Sequence, residues 1–245
     1  MTSSSCVARR PLQGGVGHLR REEGQVGVGR SVVNAGIDWL RGRHATVIGL
    51  ETMPRTMDNI GFYSSIGFVP GRLTITLTLE AATVDRPTPL LGKLTSAARD
   101  DALAACRRLT ESQLPGYDFS REILLTLELG LGDVALLHER SELVGFALFH
   151  SVPLVEGRSR EELRVLKMVL RREADVDGMA ELLRDASRRV GTRRVATRVQ
   201  GEYIETYGRL VRRGARVRWT DLRMTVAGSE ERRAATGVVL SNWEI

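Results

Sequence analysis

The chain has 245 residues, 42% of them hydrophobic, which is enough for one large or two modest domains with a packed core. Its net charge of +6 invites a nucleic-acid partner, but aromatic residues make up only 5% and no zinc-finger or ribonucleoprotein motif is present, so the composition argues against one. Cys6, Cys106 and the four histidines show no disulfide or metal-ligand spacing, so no metal site is expected.

The sequence also predicts a protein without a membrane partner. The longest uncharged run, residues 143–155, falls well short of the roughly 20 apolar residues that a bilayer span needs. The N-terminus lacks the apolar core of a signal peptide, so we expect a cytoplasmic location. Residues 1–13 are small, polar and Arg-bearing with no periodicity, and they are predicted to form a disordered lead.

The segment 14–50 is predicted to fold as a strand, a helix and a second strand. Val33, Ile37 and Leu40 stand at i, i+4 and i+7, which gives the predicted helix one apolar face. The run 45–50 is short and mostly apolar, as is typical of a buried parallel strand. Because a crossover helix commonly joins parallel strands, the three pieces are expected to form one unit.

A glycine-rich turn, residues 24–30, leads into this helix with the sequence Gly-Gln-Val-Gly-Val-Gly-Arg. A helix N-terminus presents unpaired N–H groups and a partial positive charge, and glycines let a diphosphate approach the backbone. The turn is therefore a candidate anion cradle. A tight turn without any ligand is the alternative, because glycines before a helix are by themselves a weak signal.

A short helix is predicted next, beginning at Asp58 or Asn59. It is expected to end at Gly67, because glycine tolerates the left-handed conformation that terminates helices. A clean period-two strand follows at 73–79. The Pro-bearing stretch 81–90 then indicates a linker to a second domain.

The side chains of this short helix predict different roles for neighbouring aromatic residues. Phe62 and Ile66 are expected to face the core, which would turn the phenol of Tyr63 off the packed face.

Glu51, at the end of the preceding strand, could act as a base toward an amine. Capping or salt bridging is the preferred interpretation of Glu51, because carboxylates at strand ends commonly have such a role.

The second half of the chain contains a longer series of predicted elements. Helical periodicity and strand alternation predict helices at 96–114 and 119–130, a hairpin of 133–137 with 143–149, a strand at 163–170, a helix capped by Asp177 and closed by Gly191, a strand at 195–199, a helix from 204 to Gly214, and strand structure within 215–226. No element is predicted for the residues after 227.

The order of motifs in the first half resembles the second half of the GNAT-type N-acetyltransferase superfamily, whose members bind acetyl-CoA. The resemblance rests on the glycine turn opening a helix, a strand, and then Asn59, Tyr63 and Gly67. It implies that Asn59 contacts the arm of the cofactor and that Tyr63 protonates the departing CoA thiolate. It also implies that the CoA pyrophosphate is held by Gln25, Val26, Gly27, Val28, Gly29 and Arg30.

Two departures from the family pattern stand out in this first copy. The family usually has Arg or Gln three residues before the first of the two glycines, a place taken here by Gly24, with Gln25 one step off. In addition, three strands and two helices precede this turn in the family, roughly 60 residues more than 1–13 provide. The first copy is therefore expected to be truncated at its N-terminus.

The second half resembles a nearly whole GNAT domain with degenerate motifs. Residues 171–177 stand where the glycine turn should lie, and their acidic side chains would repel a diphosphate. Counting back from Gly214, Leu210 takes the place of the Tyr and Thr206 that of the Asn. The second copy is thus expected to keep the fold without the cofactor motif.

These observations together predict an α/β (α+β) protein with two GNAT-like mixed-sheet domains, the first incomplete. The expected boundaries are a lead at 1–13, the C-terminal half of a first domain at 14–80, a linker at 81–94, a second domain at 95–228 and a tail at 229–245.

The predicted activity is that of an acetyl-CoA-dependent N-acyltransferase acting on a small-molecule or peptide amine, with Tyr63 as general acid. The alternative is a non-catalytic GNAT-fold structural or interaction module. A homodimer or a completing partner chain is open in either case.

Overall fold

The computed structural model describes residues 27–84, 87–153, 161–229, 231–234 and 236–243, which form two compact units. The large unit contains Arg72–Thr220 and Arg232–Asn242; the small unit contains the described residues up to Gly71, with Asp221–Glu231 and Trp243. The division into domains at 80, 94 and 228 stays a prediction, since contacts alone define these units.

Helices and strands alternate through most of the described chain, so the expected α/β fold class is confirmed. In chain order the elements are α1 (Val28–Arg41), β1 (Gly49–Thr52), α2 (Met57–Ser64), β2 (Phe68–Glu80), α3 (Ser96–Gln113), α4 (Ser120–Glu128), β3 (Gly132–Glu139), β4 (Glu142–His150), β5 (Glu162–Leu170), α5 (Val176–Arg189), β6 (Arg194–Gln200), α6 (Ile204–Arg212), β7 (Arg216–Val226) and β8 (Val238–Ser241).

The small unit is built around one cluster of apolar side chains. α1 buries Ile37 and Leu40, two positions of the predicted apolar face, so that prediction is confirmed. β1 pairs antiparallel with the second half of β7. The strand predicted before α1, and with it any parallel partner that it would give β1, lies outside the described residues. The cluster also contains Ile48, Phe68, Met224 and Val226.

α2 follows β1 and begins at Met57, one residue before Asp58, the earlier of the two predicted starts. It ends at Ser64, and the N–H of Gly67 bonds to the carbonyl of Ser64 at 3.0 Å. Gly67 has φ +99°, a conformation that glycine adopts without a Cβ penalty. The predicted helix stop at Gly67 is therefore confirmed, and Phe68 opens β2 as expected.

In the large unit the strands lie in the order β2, β6, β5, β4, β3, with helices on both faces. β5 and β6 run parallel, whereas β2 with β6, β4 with β5 and β3 with β4 run antiparallel. Side chains alternate along β3, so that Ala135 belongs to the apolar cluster that also contains residues of α5 and α6. Val134 and Leu136 belong to the other cluster, which contains residues of α3 and α4. The sheet is thus buried on both sides, as in other α/β folds.

Besides its pairing with β4, β5 pairs with two further strands, β6 and β8, at different points along its length. Near its start Arg164 lies opposite Ala196 of β6, and at its end Leu170 lies opposite Val238 of β8. The Tyr203 hydroxyl donates to the carbonyl of Val239 at 3.4 Å and accepts from its N–H at 3.3 Å. The tail for which no element was predicted therefore supplies a buried strand to this core.

Thr88, within the predicted linker, packs against α5. The N–H and hydroxyl of Thr88 donate to Oδ2 of Asp185 at 3.1 and 2.8 Å. Burial works to raise the pKa of the Asp185 carboxyl, but these bonds and the Arg189 guanidinium outweigh it and hold the pKa below its ordinary value. Thr88 is thus part of the packed structure of the large unit.

Candidate active site

The N-terminus of α1 is exposed in the described part of the chain, and its role as an anion cradle stays a prediction. α1 begins at Val28 with Gly27 at its N-cap, and Gly27 has no side chain that could bond the first-turn N–H groups. The carbonyl of Gly27 accepts from both the N–H and the hydroxyl of Ser31 at 3.0 Å. The N–H groups of the first turn have no intrahelical partner, and residues 27–30 are exposed.

Arg30 stands in this first turn and reaches the end of α2. Its Nη1 donates to the carbonyl of Ser65 at 2.9 Å and its Nη2 to the hydroxyl of Ser65 at 2.8 Å. A Cβ on Gly29 would lie 3.5 Å from the ring of Phe62, so α1 and α2 are in contact here. The guanidinium therefore adds positive charge to the positive end of the α1 dipole. Two predicted cradle residues lie outside the described part of the chain: Gln25 and Val26.

Asn59 lies in the first turn of α2, beside the end of β1. Its Nδ2 is 3.5 Å from Oγ1 of Thr52, the last residue of β1, which is at the limit of a hydrogen bond. Thr52 is buried, whereas Asn59 itself is exposed. The amide of Asn59 is thus available to a molecule lying over this strand end.

Tyr63 does not point off the packed face, so the expected orientation is wrong. Its ring packs against the cluster of the small unit, on the same side as Ile60 and Ile66, with its centroid 5.8 Å from that of Phe68. Residues three apart on a helix lie on one face, which places Tyr63 in line with Ile60. The ring is only half-buried, and its hydroxyl has no hydrogen bond to any described residue.

Glu51 is not positioned as a base. Its Oε1 accepts from Nε of Arg223 at 2.8 Å, and the side chain of Glu51 is 6% exposed. The salt-bridging role preferred on the sequence is therefore confirmed. A carboxylate that is buried and bound by a guanidinium has little access to a substrate.

In the large unit, residues 171–177 stand where the glycine turn was expected, and an acidic side chain from this segment binds the start of α6. Glu173 places its Oε2 at the start of α6, where it accepts from the N–H of Thr206 at 2.7 Å and from its hydroxyl at 2.8 Å. Thr206 stands at the expected Asn position, and Leu210, at the expected Tyr position, is 1% exposed in the apolar core. The N-terminus of α6 is therefore bound by the carboxylate of Glu173, a group of the protein itself.

Asp177, expected to cap α5, instead lies inside the helix, which begins at Val176 after Asp175. Its carboxylate accepts from Arg209 at 2.6 Å and from Arg213 at 2.7 Å. Burial works to raise the pKa of Asp177, but the hydrogen bonds from the two guanidiniums outweigh it and hold the pKa below its ordinary value. The sequence reasoning missed this pairing, since it joins residues more than thirty positions apart.

The described residues, 27–84, 87–153, 161–229, 231–234 and 236–243, give no evidence for a metal site or a membrane-spanning helix. Across these residues no three His, Cys, Asp or Glu side chains converge in a way that could hold a metal ion. No helix among them is both long and apolar enough to cross a bilayer.

Comparison with known proteins identifies the fold. No family model matches the sequence, and no curated protein does. A GCN5-related N-acetyltransferase from Sphaerobacter thermophilus matches 91% of the chain at 16% identity, with a TM-score of 0.52. A candidate acetyltransferase from Pyrococcus horikoshii matches 90% at 13% identity, with a TM-score of 0.59. A tandem GNAT protein from the clavulanic acid biosynthesis pathway matches 85% at 12% identity, with a TM-score of 0.52.

This chain has the fold of the GCN5-related N-acetyltransferases. The resemblance drawn from the glycine turn and α2 is thus confirmed at the level of the fold, which is all that such low identities establish. The chain spans 72%, 66% and 72% of the lengths of these three structures. The tandem arrangement stays a prediction.

Proposed function

We propose that this protein is an acetyl-CoA-dependent N-acyltransferase that transfers an acetyl group to a primary amine. The observation that carries the proposal is the open N-terminus of α1 with the Arg30 guanidinium beside it, in a chain with the N-acetyltransferase fold. Helix N–H groups and a guanidinium both suit phosphate oxygens, so these residues fit a diphosphate. The residues proposed to hold the CoA pyrophosphate are Gln25, Val26, Gly27, Val28, Gly29 and Arg30.

Two residues of α2 complete the proposed site in the small unit. Bound acetyl-CoA supplies an activated acetyl thioester. Asn59, with its exposed amide at the end of β1, is proposed to contact the arm of the cofactor. Tyr63 is proposed to donate its phenolic proton to the departing thiolate, because its hydroxyl has no internal hydrogen bond that would have to break first.

Glu51 has no role as a general base in the proposed reaction. That carboxylate is bound by Arg223, so the proton of the acceptor amine is expected to pass to solvent. The rate should then rise with pH until the amine is mostly neutral, since only the neutral form has a free electron pair. The pH of half-maximal rate should move with the pKa of the amine that is supplied.

The test is free-thiol release from acetyl-CoA with a panel of primary amines, together with calorimetric titration of CoA. Tyr63→Phe should lower kcat by about 10²–10⁴ and leave CoA affinity unchanged, because it removes only a proton donor. Tyr207→Phe is the matched control, since Tyr207 is also a half-buried phenol packed against a core cluster. A chain that binds no CoA, or a Tyr63→Phe variant with full activity, would show the proposal to be wrong.

A non-catalytic GNAT-fold structural or interaction module is the second candidate. It is favoured by the ring of Tyr63, which packs into the cluster of the small unit rather than facing away from it. CoA binding without thiol release in the presence of any amine would support this function. A homodimer or completing partner chain and a cytoplasmic location stay predictions, the former testable by sedimentation equilibrium.

A further inference from the structure

The helix α4 of the large unit presents apolar side chains to solvent. Leu124, Leu125 and Leu129 are 50%, 43% and 63% exposed. Ile123 and Thr126, on the opposite side of α4, are buried, and Ile123 belongs to the apolar cluster that contains residues of α3 and α4. The exposed leucines therefore lie away from the core. Apolar side chains that are contiguous on a surface, rather than scattered, are typical of an interaction site.

Two charged residues flank these leucines on the same face of α4. Arg121 stands three residues before Leu124, and Glu128 stands three residues after Leu125. Residues three and four apart lie on one face of a helix, so these four side chains form one stripe, which we call the α4 stripe. Both charged side chains are exposed, and neither forms a hydrogen bond or an ion pair with any described residue. The α4 stripe thus has an unpaired positive charge at one end and an unpaired negative charge at the other.

The order of residues in the α4 stripe makes it complementary to itself. In an antiparallel pair of α4 helices with a two-fold axis between Leu124 and Leu125, each of these leucines faces the other leucine of the second copy. Arg121 then faces Glu128 of the second copy, and the two-fold axis repeats this contact. Packed helices lie about 8–10 Å apart, a distance that Arg and Glu side chains can bridge. A parallel pair would place like charges together, which costs free energy.

We propose that α4 is the contact surface of a homodimer in which the α4 stripes of two copies pack antiparallel. A second copy fits this surface because one helix face supplies the apolar contact and both members of each ion pair, at the spacing that a two-fold axis requires. Three leucines per copy make a small interface, so the dimer is expected to be weak, with a Kd of about 1 μM or above. This inference does not depend on the acyltransferase proposal, since it concerns other residues in the other unit.

Sedimentation equilibrium of the full chain over a range of concentrations measures the dimer. Leu124→Asp should raise the Kd at least about tenfold, because it places a charge against Leu125 of the second copy. Leu124 is half exposed in the single chain, so the variant should fold. Circular dichroism and urea denaturation under conditions where the wild type is monomeric should show an unchanged chain.

Charge reversal tests the antiparallel arrangement. Arg121→Glu and Glu128→Arg each create two like-charge contacts across the two-fold axis, so each variant alone should dimerise at least about tenfold more weakly than the wild type. Arg188→Glu is the control for net charge, because Arg188 is an exposed arginine on α5. This control should leave the Kd unchanged.

The two charge variants should also rescue each other. An equimolar mixture of Arg121→Glu and Glu128→Arg chains restores opposite charges at both contacts, so it should form heterodimers with nearly the wild-type Kd. The double variant, which carries both changes in one chain, should form homodimers for the same reason.

Three results would overturn the proposal. The first is a wild-type chain that stays monomeric up to about 1 mM, where even a weak specific dimer is populated; the α4 stripe would then have a different partner or none. The second is a dimer that both charge variants leave intact, which would place the interface elsewhere. The third is a mixture of the two variants that remains monomeric, since an antiparallel pair requires their rescue.

Discussion

The guanidinium of Arg223 and the carboxylate of Glu51 form a buried ion pair in the small unit, with 2.8 Å between Nε and Oε1. Both oxygens of Glu231 accept from Nη1 of Arg223 at 2.7 Å, and the ring of Trp243 lies 4.2 Å from the guanidinium carbon. Burial works to lower the pKa of Arg223, but the two carboxylates outweigh it and raise the pKa above its ordinary value. Glu51 therefore belongs to a structural network.

Glu51→Ala is expected to lower the free energy of unfolding by about 3–5 kcal/mol, because Arg223 would stay buried with one of its counter-charges missing. Urea denaturation measures this change. A triple variant, Glu51→Leu with Arg223→Met and Glu231→Gln, should recover part of the loss, since it removes all three charges of the network together. A Glu51→Ala variant of unchanged stability but lost activity would instead assign Glu51 a catalytic role.

Glu173→Ala should destabilise the large unit by about 1–2 kcal/mol, because the N–H of Thr206 at the start of α6 loses its acceptor. Glu205→Ala is the control on the same helix. Glu205 makes an exposed ion pair with Arg209, which is worth less than about 1 kcal/mol. Equal losses for the two variants would contradict the capping role of Glu173.

His150 should make the stability of the chain depend on pH. Burial, and then the positive charge of Arg164, lower its pKa from 6.5 to about 4. Between these values the unfolded chain binds a proton that the folded chain does not, so stability is fully present above pH 6.5 and is lost as the pH falls toward 4. Because the imidazole is partly exposed, solvent screening should limit the loss to about 1–2 kcal/mol.

His150→Gln should flatten this part of the stability profile, as measured by urea denaturation at a series of pH values. His138→Gln, at an exposed histidine, is the control and should leave the profile unchanged. A wild-type chain that is equally stable at pH 6.5 and at pH 4.5 would contradict the prediction.

Two variants test whether β8 is part of the core of the large unit. Tyr203→Phe should cost about 1 kcal/mol, because both backbone groups of Val239 lose their bonds to the phenol. Gly237→Val should cost more, since a Cβ there would collide with the carbonyl of Leu170. Hydrogen exchange at Val239 should accelerate in both variants. Slow, unchanged exchange would mean that β8 is held by other contacts.

Much of the fold follows from local pattern. The apolar spacing of Ile37 and Leu40 predicts the buried face of α1, and the glycine at 67 predicts the end of α2. Both are properties of a few neighbouring residues. The face of α2 is different, because Tyr63 and Phe62 lie side by side on the helix. Which of them packs inward depends on where Phe68 and Met224 lie.

In the proposed site, too, some features follow from local sequence and others depend on contacts between distant residues. The open N-terminus of α1 was predictable, since it requires only glycine before a helix. The bonds of Arg30 to Ser65 and of Glu51 to Arg223 were not, because they join residues 35 and 172 positions apart. No local pattern records such pairs.

The sequence by itself determined the alternation of helices and strands, the glycine turn and the segment around Asn59 and Tyr63, because periodicity and backbone conformation act over one or two turns of chain. The tertiary structure decided what those residues touch. In the folded chain the ring of Tyr63 packs against the apolar cluster of the small unit, Glu51 forms an ion pair with Arg223, and the tail pairs with β5 as strand β8. Burial and pairing depend on distant partners, and folding alone brings those partners together.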